Sequence, residues 1–130
     1  MQNNIENKIV EYLKNLGISI HVYHAFSTSS IYIKLDYGAL GSIRISDHKG
    51  KKKYHYKYNI GNDIKKYEEK LENNHWRKYY PANEVENLIC DILLEHNSKI
   101  HKGNYLQVKQ KYKENKKDVS FWRNCKEIAP

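Results

Sequence analysis

Arg44, Ser46, Asp47 and His48 fall within one short run, Arg-Ile-Ser-Asp-His, and concentrate the reactive side chains of this sequence. The Arg44 guanidinium is a planar fork whose geometry matches a phosphate or a carboxylate. An Asp at the end of a strand accepts turn amides, and Asp47 is placed to orient the adjacent His48. Upstream, Ser29, Ser30 and Tyr32 sit on what would be the neighbouring strand, so a hydroxyl from either serine and the phenol could converge on Arg44. Three uses are open to such a cluster. It can be a hydrogen-bonded corner that fixes hairpin register, a ligand pocket, or a catalytic centre. In the catalytic version His48 is the general base, Asp47 orients it and Arg44 holds a phosphate. Against catalysis, the sequence has no paired-carboxylate metal site and no recognised nuclease motif.

The second group of candidates is cationic. Lys49, Lys51, Lys52 and Lys53 crowd one Gly-containing turn, with Lys57 just beyond it. A hairpin tip of this kind can reach a phosphate backbone and release counterions, or it can simply keep a sheet edge from aggregating. A further set, Lys109, Lys111, Lys113, Lys116 and Lys117, gathers near the C-terminus. The net charge of +8 is unevenly spread: residues 1–17 are neutral, 18–60 carry +5, 61–100 carry −2 and 101–130 carry +5. That division suits a polyanionic partner. A lysine-, asparagine- and tyrosine-rich chain from an AT-rich genome would give a similar total, so charge does not decide the matter. The histidines offer no metal site. His21 and His24 would point to opposite faces of a strand, and neither a Cys/His quartet nor a His-Glu-x-x-His is present. Cys90 and Cys125 match no metal or redox spacing, and Cys90 reads as a buried thiol within Leu88-Ile89-Cys90. No cofactor is implied.

The elements that must position these residues are legible as periodicities. Ile5, Ile9, Leu13 and Leu16 predict an amphipathic helix over 4–16, stopped by Gly17. Segments 18–24, 30–36, 42–46 and 53–59 alternate with period two and predict four strands joined by short Gly-bearing turns, an antiparallel meander. Asp63 could cap a helix over 63–73. Pro81 interrupts the chain, and Asn83 with Glu86 resembles a capping box for a helix over 84–96 that buries Val85, Leu88, Ile89, Ile92 and Leu93. A third helix is expected near 104–115, and Phe121 and Trp122 should return a last short segment to the body. The fold class is therefore α+β in one domain, 1–130: an N-terminal helix, a four-stranded antiparallel sheet, then C-terminal helices on one sheet face. With aliphatic rows facing those helices, the opposite face carries His21, Tyr23, Tyr32, Lys34, Ser42, Arg44, Ser46, His55 and Lys57. Rings beside cations on a sheet suit bases and phosphates, unless helices cover that face and its polar groups pair with each other.

At 39% hydrophobic residues the chain can form a thin core, and no apolar run reaches the ~18 residues of a membrane span. Residues 1–6 do not read as a signal peptide, so a cytoplasmic protein without membrane contact is expected.

The Ser-x-Tyr strand, Ser30-Ile31-Tyr32, followed by Arg44-Ile45-Ser46-Asp47-His48 resembles a combination in small uncharacterised phage and mobile-element proteins. About twenty residues carry it. Small basic proteins of that background include anti-CRISPR and other counter-defence factors, which commonly act by occupying a nucleic-acid-binding surface. The resemblance implies a binding protein directed at nucleic acid or a nucleoprotein effector. Its contacts would come from Tyr32, Lys34, Arg44, His48, Lys49, Lys51, Lys52, Lys53, Lys57, Lys109 and Lys113. A nuclease or nucleotide-processing enzyme using Arg44, Asp47 and His48, and a protein–protein module without nucleic acid, are the alternatives. The oligomeric state is not legible.

Overall fold

The computed structural model describes residues 2–26, 30–46, 58–61, 67–70 and 76–130. The N-terminal helix, α1 (Gln2–Leu13), presents Ile5, Ile9 and Leu13 to the core. It ends one turn earlier than the apolar spacing suggests, which leaves Leu16 exposed. Gly17, at φ +75, then turns the chain into the sheet. A left-handed residue at a helix end favours glycine because it has no Cβ to clash.

Three strands follow as antiparallel neighbours: β1 (Ile20–His24), β2 (Ile31–Leu35) and β3 (Gly41–Ser46). Their registers place Val22 beside Ile33 and Ile33 beside Ile43, so the alternating aliphatic residues form rows on one face. Those rows, with Ile18, Leu40 and Tyr80, pack against α1 and against α2 (Val85–His101), which contributes Val85, Leu88, Ile89 and Ile92. Burying such side chains is the main favourable term in folding, at roughly 1.5–3 kcal/mol each. Cys90 falls just off this stripe and is exposed, not the buried thiol expected from its apolar neighbours. The start of α2 also differs from the expected capping box. Asn83 lies in a 3₁₀ turn, and the bond formed there runs from Asn87 Nδ2 to Glu84 Oε1 at 2.9 Å.

With β4 (Tyr58–Gly61), β5 (Tyr67–Lys70), β6 (Trp76–Pro81) and β7 (Lys126–Ala129), the sheet has seven strands among the described residues, in the order β5-β6-β4-β3-β2-β1-β7. One antiparallel run has four strands, β7-β1-β2-β3, because the C-terminal strand β7 (Lys126–Ala129) pairs with β1. On the other side, β4 (Tyr58–Gly61) runs parallel to β3 and also parallel to β6 (Trp76–Pro81). Of the strand expected over 53–59 as the next hairpin arm, residues 53–57 lie outside the described residues, and the described part belongs to β4, which returns in the same direction as β3. Such a return needs a connection of about a dozen residues, which the stretch between β3 and β4 supplies. The helix expected over 63–73 is not formed across that range: β5 (Tyr67–Lys70) is a strand, antiparallel to β6.

Two helices complete the chain, α3 (Tyr105–Glu114) and α4 (Ser120–Asn124). Among the described residues, no helix is long and apolar enough to cross a membrane. The α+β class, the N-terminal helix, the four antiparallel strands and the C-terminal helices are all present. The mixed extension of the sheet and the position of α4 are additional.

Candidate functional site

The face of β1–β3 opposite the aliphatic rows follows directly from the registers. Tyr23, Tyr32 and Arg44 lie across one row, and His21, Lys34 and Ser42 across the next. In the first row the Tyr23 and Tyr32 rings stack at 6.0 Å, and the Arg44 guanidinium lies over the Tyr32 ring at 5.5 Å. Arg44 Nη2 also donates to Ser30 Oγ at 3.3 Å. Ser30, Tyr32 and Arg44 are thus brought together, with the tyrosine contributing its ring. In the second row Lys34 Nζ is 3.4 Å from Ser42 Oγ, and burial lowers its pKa from the usual lysine value.

Helix α4 lands on this face. Phe121 meets Tyr23 edge-on at 6.1 Å and receives the Lys34 ammonium over its ring at 5.2 Å. Trp122 meets His21 edge-on at 5.1 Å and stacks with Tyr37 at 6.0 Å. The expected exposure of His21 is corrected: it is buried beneath Tyr37 and Trp122. Its Nε2 is 3.4 Å from Glu127 Oε1 on β7. Burial lowers the His21 pKa and outweighs the opposing pull of Glu127. His24 points elsewhere and binds Glu6 of α1 at 2.9 Å.

Between α3, α4 and the sheet lies a groove of about 660 Å³. It is positioned by the turn after β2. Asp36 and Tyr37 both adopt left-handed conformations, at φ 52 and φ 61, which cost non-glycine residues energy and persist only where surrounding contacts impose them. Here the imposing contacts centre on the Asp36 carboxylate. It accepts the Ser19 amide at 2.8 Å and the Tyr105 hydroxyl, and the Lys109 ammonium is 2.9 Å away. Burial and the bond to Asp36 hold the Tyr105 phenol far above its ordinary pKa, so it remains a donor. This clamp fixes α3 to the sheet and swings Tyr37 toward the groove.

Several expected contact residues converge here and others do not. Tyr32, Lys34 and Arg44 share the polar sheet face, and Lys113 Nζ lies 5.8 Å from the Tyr37 ring. Lys109 is engaged internally, with Asp36 and with the Gly17 carbonyl at 3.3 Å. Asp47, His48, Lys49, Lys51, Lys52, Lys53, His55 and Lys57 lie outside the described residues, as does Ser29. Tyr37 and Tyr112 were not expected at the site. Their only sequence signal is a ring beside a turn glycine and a ring amid the C-terminal lysines. Lys116 Nζ, from that lysine cluster, sits over Trp122 at 5.1 Å and over Tyr37 at 5.5 Å. Among the described residues, no group of His, Cys, Asp and Glu side chains is gathered to hold a metal ion.

No protein-family model, curated protein or solved structure matches this chain.

Proposed function

We propose that this protein is a binding protein that engages nucleic acid or a nucleoprotein effector through the polar face of β1–β3 and the groove beside it. The observation that carries this reading is the succession of cations over rings along one surface. Arg44 lies over Tyr32, Lys34 over Phe121, and Lys116 over Trp122 and Tyr37. Side chains of this kind present a π-face to a base and a charge to its phosphate, the combination by which sequence-tolerant nucleic-acid binders work. The two +5 segments of the chain reinforce it, because the described part of this surface draws on both. The resemblance to phage and mobile-element proteins adds that the target is a host defence complex and that engagement inhibits it.

The test is fluorescence anisotropy with labelled DNA and RNA oligonucleotides across a salt series. Affinity should fall linearly in log–log form as salt rises, with little dependence on sequence, since lysines meet phosphates as point charges. Arg44→Ala should weaken binding several-fold in a protein that still folds. Absence of any salt-sensitive association with DNA, RNA or a purified nucleoprotein would refute the proposal.

A further inference from the structure

The groove differs from the open sheet face in being concave, lysine-rich and walled by rings. Lys34, Lys111, Lys116 and Lys117 line it, and none of the described lining residues is acidic. Among the described residues, Lys111, Lys116 and Lys117 form no ion pair, although the C-terminal segment carries carboxylates that could have supplied one. The Lys116 ammonium lies over the Trp122 and Tyr37 rings, a contact that neutralises no charge, so all three lysines remain able to meet an anion. Tyr112 forms part of one wall. Its ring packs beside Gly38, where an added Cβ would sit 3.6 Å from it. Tyr112 is 48% exposed and has no aromatic partner among the described residues, whereas Tyr37 and Trp122 stack on each other. A flat, exposed ring thus stands in one groove with three lysines that form no ion pair among the described residues.

We infer that this groove takes an unpaired nucleotide of a single-stranded nucleic acid, with its base against Tyr112 and its phosphates on Lys111, Lys116 and Lys117. The inference rests on the binding function proposed above and narrows its ligand to the single-stranded form. The volume falls in the ~300–1,000 Å³ range of sites for small ligands, so it suits one nucleotide rather than a duplex. In a duplex each base is already stacked between its neighbours, and only an unpaired base can lay its face on the Tyr112 ring. An acidic peptide would satisfy the lysines but has no use for the ring. Lys34 also lines the groove, and a phosphate beside it would oppose the lowering of its pKa by burial.

The experiment compares one oligonucleotide sequence as a labelled single strand and as a duplex, with the whole 130-residue chain, and repeats both with variants. The wild type should prefer the single strand by about tenfold or more. Tyr112→Ala should reduce single-strand affinity by about fivefold or more while Tyr112→Phe retains it, because stacking needs the ring and not the hydroxyl. Lys116→Gln with Lys117→Gln should reduce single-strand affinity more than duplex affinity, with the melting temperature unchanged. Unlabelled poly-glutamate at equal charge should compete poorly. Equal affinity for single strand and duplex, an unaffected Tyr112→Ala, or poly-glutamate competing as well as the oligonucleotide overturns the inference and leaves the broader binding function standing. No association with any nucleic acid overturns both.

Discussion

Replacing Asp36 by Asn tests the clamp on which the groove depends. Asn tolerates the left-handed conformation at φ 52 nearly as well as Asp, so the backbone effect is controlled. What changes is the charge. Asp36 is 1% exposed and serves three donors: the Ser19 amide, the Tyr105 hydroxyl and the Lys109 ammonium. Removing one partner of a buried ion pair typically costs about 3–5 kcal/mol, since the other charge stays buried without compensation. The Lys109 side chain is 20% exposed and regains some hydration, which puts the expected loss near the bottom of that range, about 3 kcal/mol. Tyr105→Phe removes a single bond to a charged acceptor and should cost about 1.5–3 kcal/mol. The double variant should cost less than the sum of the two, because both act on one carboxylate. Urea denaturation followed by circular dichroism measures all three. Hydrogen exchange should lose protection in α3 before the β1–β3 sheet, as α3 is held chiefly through this clamp. A loss below about 1 kcal/mol for Asp36→Asn, or equal loss of protection throughout, would refute the clamp.

Three further outcomes are expected. Ile33→Ala and Leu88→Ala, both fully buried on facing layers, should each destabilise by about 2–4 kcal/mol in the same denaturation assay, and losses under ~0.5 kcal/mol at both would mean the core is elsewhere. Burial lowers the His21 pKa in the folded state, so below the unfolded value of about 6.5 the unfolded chain binds the proton first. Stability should then be fully present above about pH 6.5 and fall as pH drops through the lowered folded pKa, and His21→Phe should flatten that part of the stability–pH curve. Changing Lys51, Lys52 and Lys53 together to Gln should leave the melting temperature unchanged and reduce the salt slope of nucleic-acid binding by roughly one unit per lost phosphate contact. An unaltered slope would remove those three lysines from the interface.

The parts of the fold legible in the sequence are those where one face is buried against something apolar. Ile31, Ile33 and Leu35 alternate with Tyr32 and Lys34, and the burial of β2 repeats that alternation residue by residue. Leu88 and Ile92 likewise mark the inner stripe of α2. Strand direction was not legible, because alternation is the same whether a strand pairs parallel or antiparallel. The order of β4 between β3 and β6 depends on the connections, which leave no periodic trace. Tyr67 failed for a related reason: with Ile64 and Leu71 it fits a helical spacing, yet β6 supplies a partner strand. β7 is only four residues long and buries Ala129 alone, too little pattern to detect. Of the candidate site, Tyr32, Lys34 and Arg44 could be placed on one face from alternation. The Asp36 clamp and Tyr37 could not, since a carboxylate after a strand reads as a turn residue until Tyr105 and Lys109 are seen to reach it.

The C-terminal return is what converts a polar sheet face into a site. Without α4 and β7, β1 would be an edge strand, and Tyr23, Tyr32 and Arg44 would lie on an open plane with His21 facing solvent. β7 pairs with β1 and brings Glu127 beside His21, which pins the strand end of the return. Phe121 and Trp122, immediately upstream, must then lie over the β1–β2 side of the face, while the β2–β3 side retains Arg44 and Ser42. The linker from α3 to α4 carries Lys116 and Lys117 and has to pass alongside Tyr37 to make that connection, so its lysines border the cavity that the two helices leave. Charge and ring are therefore adjacent because of chain connectivity, and the same connectivity makes the shape of the groove depend on the Asp36 clamp at one end and on the β1–β7 pairing at the other.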